Sequence, residues 1–256
     1  MIPSPILKVL STFRKSRVRA LLMGGQACIV HGSDEFSKDV DFALAIAPAN
    51  LGRLRSALQA LQARPVFFPP LSARALQRGH ACHFRCEAGA ARGIRIDVMG
   101  RMRGVDGFDR LWKRRTVLAL KGAGRVDVLA LPDLVRAKKT QRDKDWPMIR
   151  RLLEADYVRR DGTTDSSTIS FWLKESRTPA MLLELAGRFP ALARRTAARR
   201  PAVRAAIRGS RAAIELALEK EERAEREKDR RYWAPLRREL ERWRLARQAG
   251  RVPPQA

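Results

Sequence analysis

The chain has 256 residues, 45% of them hydrophobic, enough for one ordinary domain with a real core and a smaller attachment. Its 53 Lys and Arg against 27 Asp and Glu give a formal +26, a field that attracts polyanions and repels polycations. The apolar runs are short and broken by Arg or Asp, which excludes a membrane span. The N-terminal MIPSPILKVLSTFRKSR also lacks the apolar length and cleavage site of a secretory signal.

Residues 4–15 read as a short amphipathic helix with Ile6, Leu7, Val9, Leu10 and Phe13 on its apolar side. A strand over 18–23, VRALLM, runs into Gly24-Gly25, and QACIVHG suits one or two helical turns. DVDFALAI, 39–46, alternates strictly: Val40, Phe42, Leu44 and Ile46 face one way, and Asp39, Asp41, Ala43 and Ala45 the other. A helix over about 48–62 carries Leu51, Leu54, Leu58 and Leu61, and Phe67, Phe68, Pro69 and Pro70 mark a turn.

HACHFRCEA (80–88) and GIRIDVMG (93–100) predict a hairpin joined through GAARG. In its second strand Ile94, Ile96 and Val98 form the buried set, while Arg95, Asp97 and Met99 point the opposite way. A helix over 108–115 follows, then strands at 116–120 and 125–131 joined through KGAG. Pro132 opens a helix at its first turn. DLVRAKKTQRDKDWPMIRRLLEA is expected to be helical on either side of a break near Pro147. DGTTDSST, 161–168, has a linker's composition. Beyond it the pattern is almost entirely helical. A long charged helix there carries Trp233, Leu236, Leu240 and Trp243 as a docking stripe, and the terminal VPPQA is expected to fray.

Aspartates at i and i+2 of a strand put two carboxylates on one face, where they repel unless a cation neutralises them. Carboxylate oxygens suit Mg²⁺, which shares its shell readily with substrate phosphates. A third acid on a neighbouring strand would let the set hold two ions, the arrangement that clamps attacking and leaving oxygens in phosphoryl or nucleotidyl transfer. Asp97 lies opposite its strand's apolar set, as Asp39 and Asp41 do, so it is the candidate. A glycine pair between strand and helix lets backbone N–H groups approach phosphates.

With these residues, LLMGGQACIVHGSDEFSKDVDFAL resembles the signature of the DNA polymerase beta-like nucleotidyltransferase superfamily. Gly24-Gly25 are followed by thirteen residues and then Asp39-Val40-Asp41-Phe42. The wording GGQACIVHG and FSKDVDF is similar to small bacterial nucleotidyltransferase-like proteins, including toxins of type IV toxin–antitoxin systems. IRIDVMGRMRG and LPDLVRAKKTQRDKDWPMI resemble that group as well. The resemblance covers roughly residues 18–155. It implies an α+β fold, a mixed or antiparallel sheet with helices on one face, for a domain over residues 1–160. Residues beyond 160 match nothing in the family, and the basic helical region over 161–256 is read from its own pattern.

Carried over by position, the resemblance implies Asp39, Asp41 and Asp97 as catalytic residues and metal ligands, with Mg²⁺ (two ions, Mn²⁺ as an alternative) as cofactor. Gly24 and Gly25 would hold the triphosphate. Ser37 sits where relatives often have Thr, and Lys38 precedes the acids as in many of them. Lys138 and Arg142, one turn apart on an expected helix, would reach phosphate oxygens. One position departs: Glu35 stands where many relatives have Arg.

Other clusters read as structural. HACHFRC places His83 on the opposite side of its strand from Cys82 and Cys86, and no second ligand cluster exists, which disfavours zinc. Cys28, Cys82 and Cys86 cannot all pair with one another, as fits a reducing, cytoplasmic location. His31 suits capping or packing, and Trp112, Trp146, Trp172, Trp233 and Trp243 suit packing.

The basic excess runs through the whole chain, with 14 basic against 6 acidic residues in 1–100, 17 against 8 in 101–160 and 22 against 13 in 161–256. The expectation is a nucleotidyltransferase that takes a nucleoside triphosphate and an RNA acceptor, such as a tRNA 3′ end, as a toxin would. Two alternatives are carried. One is a non-catalytic module that binds RNA or a protein partner, as an antitoxin does. The other is nucleotidyl transfer to a small cation such as an aminoglycoside, which the +26 charge opposes.

Overall fold

A computed structural model describes residues 3–33, 37–160 and 165–250. Ile6, Val9, Leu10 and Phe13 recur at helical spacing and are buried along α1 (Ser4–Lys15), which Pro5 opens in its first turn. VRALLM yields the shorter β1 (Ala20–Met23), and α2 (Gly24–Val30) begins on the glycine pair itself. The alternating acids form β2 (Asp39–Leu44), with Val40, Phe42 and Leu44 buried and the Phe42 ring stacked on Phe13 at 4.3 Å. α3 (Pro48–Ala60) follows as its leucine spacing predicts.

Two short elements lie where no element was expected. β3 (Ala63–Pro65) is three residues long, below the length at which alternation is visible. α4 (Ala73–Arg78) is a single-turn-scale helix capped by Ser72, whose hydroxyl accepts from the Ala75 N–H, and ended by Gly79 in the left-handed conformation (φ 100°). The hairpin of β4 (Ala81–Cys86) and β5 (Arg95–Met99) forms as expected, through a 3-10 turn at Gly89–Ala91. α5 (Phe108–Lys113), β6 (Thr116–Leu120), β7 (Gly124–Val128) and α6 (Leu131–Ala137) complete the sheet region.

The seven strands run in the order β3-β4-β5-β2-β1-β7-β6. β2 pairs with β5 and β1 with β7 in parallel, and the remaining pairs are antiparallel, so the sheet is mixed and the fold α+β. One face of the central strands carries the core: Val40 and Phe42 of β2, Ile96 and Val98 of β5, and Cys82, Phe84 and Cys86 of β4 are all buried. Burial pushes the Cys82 and Cys86 thiols up to about 11, so both remain protonated at neutral pH.

The remaining helices are α7 (Asp145–Arg159), α8 (Ser166–Glu175), α9 (Pro179–Arg188), α10 (Pro190–Ala197), α11 (Pro201–Ile207) and α12 (Arg211–Gln248). Pro179, Pro190 and Pro201 each occupy a first helical turn, where the missing N–H costs nothing. Asp165 caps α8 by accepting from the N–H groups of Ser167 and Thr168. The rest of the linker, 161–164, lies outside the described residues, as do Glu35 and the terminal VPPQA. Among the described residues no helix is long and apolar enough to cross a membrane.

The chain divides into two compact units. The first holds all seven strands, α1 to α6 and α12 from Arg231 onward. The second runs from Lys138 through α7 to α11 and up to Arg230 of α12, and includes the short segment from His31. The boundary expected at residue 160 falls inside the second unit, between α7 and α8.

In the first unit the docking stripe of α12 is in use: Leu236 is buried, and the Trp243 ring meets those of His80 and Phe68. Glu239, on the same stripe, takes Arg78 and His80 at 2.8 and 2.9 Å. In the second unit the fully buried Trp172 donates its indole N–H to Asp156, which also takes Arg159 and Arg160.

Candidate active site

Parity along β2 and β5 decides what the non-core face of the sheet carries. In the parallel register Asp39 stands opposite Arg95 and Asp41 opposite Asp97. Across the next pairing His83 stands opposite Asp97, and on the other side Met23 stands opposite Asp41. One row across four strands therefore reads His83, Asp97, Asp41, Met23. The expectation that all three acids project from one face of neighbouring strands holds.

The charge balance on that face comes from a residue the sequence placed there without a role. Nη2 of Arg95 lies 2.8 Å from Oδ2 of Asp39 and 3.0 Å from Oδ2 of Asp97. Nδ1 of His83 meets Oδ1 of Asp97 at 2.9 Å. Nη2 of Arg95 thus serves both acids, while its buried Nε has no hydrogen-bond partner. Asp97 is nearly buried, at 8% exposure, so its charge requires these neighbours.

The glycine pair has a packing reason of its own. Gly24 has φ of 68°, and a Cβ there would lie 1.9 Å from Oδ2 of Asp41. A Cβ on Gly25 would lie 2.6 Å from the Cβ and Oγ of Ser37. The start of α2 is thus pressed against the acid strand, and only glycine permits that approach. Ser37 is tied down on both sides: its carbonyl accepts from Nε2 of Gln26 at 2.7 Å, and its hydroxyl donates to the Asp39 carbonyl at 3.2 Å. Lys38, exposed, enters β2 directly before Asp39.

Lys138 and Arg142 belong to the second unit and take a different part. The helix expected through them is interrupted: α6 stops at Ala137, and α7 starts at Asp145, with Pro147 inside its first turn rather than at a break. In the intervening turn Nζ of Lys138 meets Oδ1 of Asp145 at 3.1 Å, and Nε of Arg142 meets Oδ2 at 2.8 Å. Thr140 donates its hydroxyl to the same carboxylate. The tight turn wins because fully buried Asp145 gathers three donors within seven residues. As they stand, both cations are spent on Asp145.

His80, Cys82, His83 and Cys86 form no metal group: the cysteines lie in the core, His83 on the acid face and His80 against Glu239. His31 is buried just beyond α2. Trp112 lies between the guanidinium groups of Arg19 and Arg115, and Trp146 donates to the Thr140 carbonyl.

Does this face suit a divalent ion? As arranged, no three His, Cys, Asp or Glu side chains among the described residues form a metal-holding group. Two carboxylate oxygens from different strands nevertheless converge on one positively charged atom, Nη2 of Arg95, with Asp41 beside Asp97 in register. That atom stands in for a cation. The donors are hard oxygens of the type Mg²⁺ prefers. The residues fit the ion in donor chemistry, and Arg95 occupies the position between Asp39 and Asp97. In comparisons with known proteins, no family model matches the chain and no curated protein matches it significantly, so the acid face itself carries the functional reading.

Proposed function

We propose that the chain is a metal-dependent nucleotidyltransferase of the DNA polymerase beta-like type, transferring a nucleotide from a nucleoside triphosphate to a hydroxyl of RNA. The observation that supports this most is the convergence of Asp39 and Asp97 on one cation position, with Asp41 in register beside them. In the reaction the acceptor oxygen bonds to the α-phosphorus as the bond to pyrophosphate breaks. Asp39, Asp41 and Asp97 would hold Mg²⁺, or Mn²⁺ in its place, which neutralises phosphate charge and makes the acceptor hydroxyl more acidic. The chain's own part is orientation. Asp97 is held by His83, Gly24 leaves room for Asp41 beside the start of α2, and the Ser37 hydroxyl ties the entry to β2. The +26 charge favours a polyanionic acceptor such as tRNA.

A second reading draws on the same arginine. Arg95 already neutralises Asp39 and Asp97 from within, as a non-catalytic RNA- or partner-binding module, antitoxin-like in role, would require.

Incubation with total RNA and each nucleoside triphosphate in turn separates the two. The expected result is RNA labelled from an α-labelled triphosphate, unlabelled from the γ-labelled one, and fully silenced by EDTA. Salt-sensitive RNA binding with no label transferred under any of these conditions would overturn the enzyme reading in favour of the second.

A further inference from the structure

The second unit contains a cavity of about 880 Å³ that the acid face does not involve. Its own acids are all engaged. Glu175 pairs with Lys139 at 2.5 Å, Glu221 with Arg177 and Arg200 at 2.7 and 3.0 Å, and Glu225 with Lys228 at 2.8 Å. Arg200 is nearly buried and also donates to the Leu173 and Ser176 carbonyls, so this part of the wall is rigid.

Three further cations line the same cavity: Lys174 near the end of α8, Arg195 on α10 and Arg199 just after it. All three are exposed, and among the described residues none has an ion-pair partner. A cation at a helix C-terminus is favourable in any protein, so no one of them signals a ligand. Three that line one cavity of ligand size, whose carboxylates are already neutralised, are different. Mutual repulsion opposes such a grouping unless an anion offsets it. Leu192, Ala198, Pro201 and Ala224 supply apolar wall between the charges, suited to sugar and base edges.

We infer that this cavity binds a run of adjacent phosphates, and specifically the backbone of a single-stranded RNA segment. Arg195 and Arg199 can each take a phosphate through two N–H groups, and Lys174 offers a point charge. The inference deepens the reading above by giving the acceptor a binding site, and it rests on that reading for the choice of RNA.

The test uses the full chain in an Asp39→Ala background, so that binding is read without turnover. Its probes are a fluorescein-labelled single-stranded RNA of about 20 nucleotides, the same sequence as DNA, and inorganic tripolyphosphate as competitor. Lys174→Glu/Arg195→Glu/Arg199→Glu should weaken RNA binding at least about 20-fold. It should also flatten the slope of log K against log salt by about 2, as loss of three phosphate contacts requires. A control with the same charge change, Lys15→Glu/Arg92→Glu/Lys121→Glu, should cost less than about 3-fold. The neutral Lys174→Gln/Arg195→Gln/Arg199→Gln, with an unchanged circular dichroism melt, guards against misfolding. Equal losses in the pocket and control triples would overturn the inference, because the global field would then explain them. So would a pocket triple that loses tripolyphosphate binding but keeps RNA, or one that loses DNA and RNA while the wild type prefers DNA. RNA binding that persists in Asp39→Ala, whether or not the wild type labels RNA, keeps this result independent of the catalytic one.

Discussion

Asp39→Ala should abolish label transfer to RNA, by more than about 10³-fold, while leaving the fold intact. A factor of 10³ is roughly 4 kcal/mol of transition-state stabilisation, within what a carboxylate gives by holding a catalytic cation. The structural cost is far smaller. Asp39 is 38% exposed on its side chain, and Arg95 keeps its contact with Asp97 when Asp39 is gone. Solvent screening limits the lost pair to below about 1 kcal/mol. Loss of activity with an unchanged melt is therefore the expected pattern. A variant that labels RNA at a tenth of the wild-type rate or better would remove Asp39 from the chemistry.

The largest effect on stability is expected at Asp145. Its carboxylate is fully buried and holds Lys138, itself nearly buried, together with Thr140 and the more exposed Arg142. Burial is the strongest influence on this group and acts to raise its pKa. The Lys138 charge, the Thr140 hydroxyl and the Arg142 charge together outweigh it and hold the carboxyl below the ordinary carboxylate range. Asp145→Asn leaves the Lys138 ammonium buried without a counter-charge, which costs about 3 kcal/mol in urea denaturation. Arg142 adds little to that figure, because its side chain is 57% exposed.

Adding Lys138→Met to Asp145→Asn removes the stranded charge and should recover more than half of the loss. The pH dependence follows from the sign of the shift. A carboxyl whose folded pKa is depressed stabilises the protein above its unfolded value, about 3.9, and that contribution is lost as pH falls through the lower folded value. The wild-type and Asp145→Asn stability curves should therefore lie apart at neutral pH and converge below about pH 4. Parallel curves down to pH 2 would show that the Asp145 charge contributes nothing to the fold.

What the sequence made legible follows from short-range rules. Alternation along 39–46 and 93–100 placed Asp39, Asp41 and Asp97 opposite their apolar neighbours, and a strand has only two faces to offer. The same parity put Arg95 on the acid face and His83 opposite Cys82 and Cys86. Their contacts with the acids depend on β5 lying between β2 and β4 in one register, a long-range fact that no local pattern contains. The tight fit of Gly24 against Asp41 is hidden for the same reason.

Lys138 and Arg142 illustrate the opposite failure. Their spacing suited a helix face, but the nearby Asp145 draws both side chains into a turn that shields it from solvent. Ser72 and Gly79 were in plain view as cap and stop for α4, masked by the proline-rich run before them. The cation-lined cavity needed α8, α10 and α12 to meet, so its cations read as ordinary charge.

Binding of Mn²⁺, followed as loss of the free-ion paramagnetic resonance signal, probes the acid face without any assumption about nucleotide or acceptor. With no triphosphate added, because triphosphate itself removes free Mn²⁺, the wild-type chain should take up about one or two ions. Asp97→Asn, similar in shape but without the charge, should weaken that uptake at least about 10-fold. A wild-type chain that leaves the signal untouched, or an Asp97→Asn chain that depletes it equally well, would mean that Arg95 is the only cation these carboxylates ever hold.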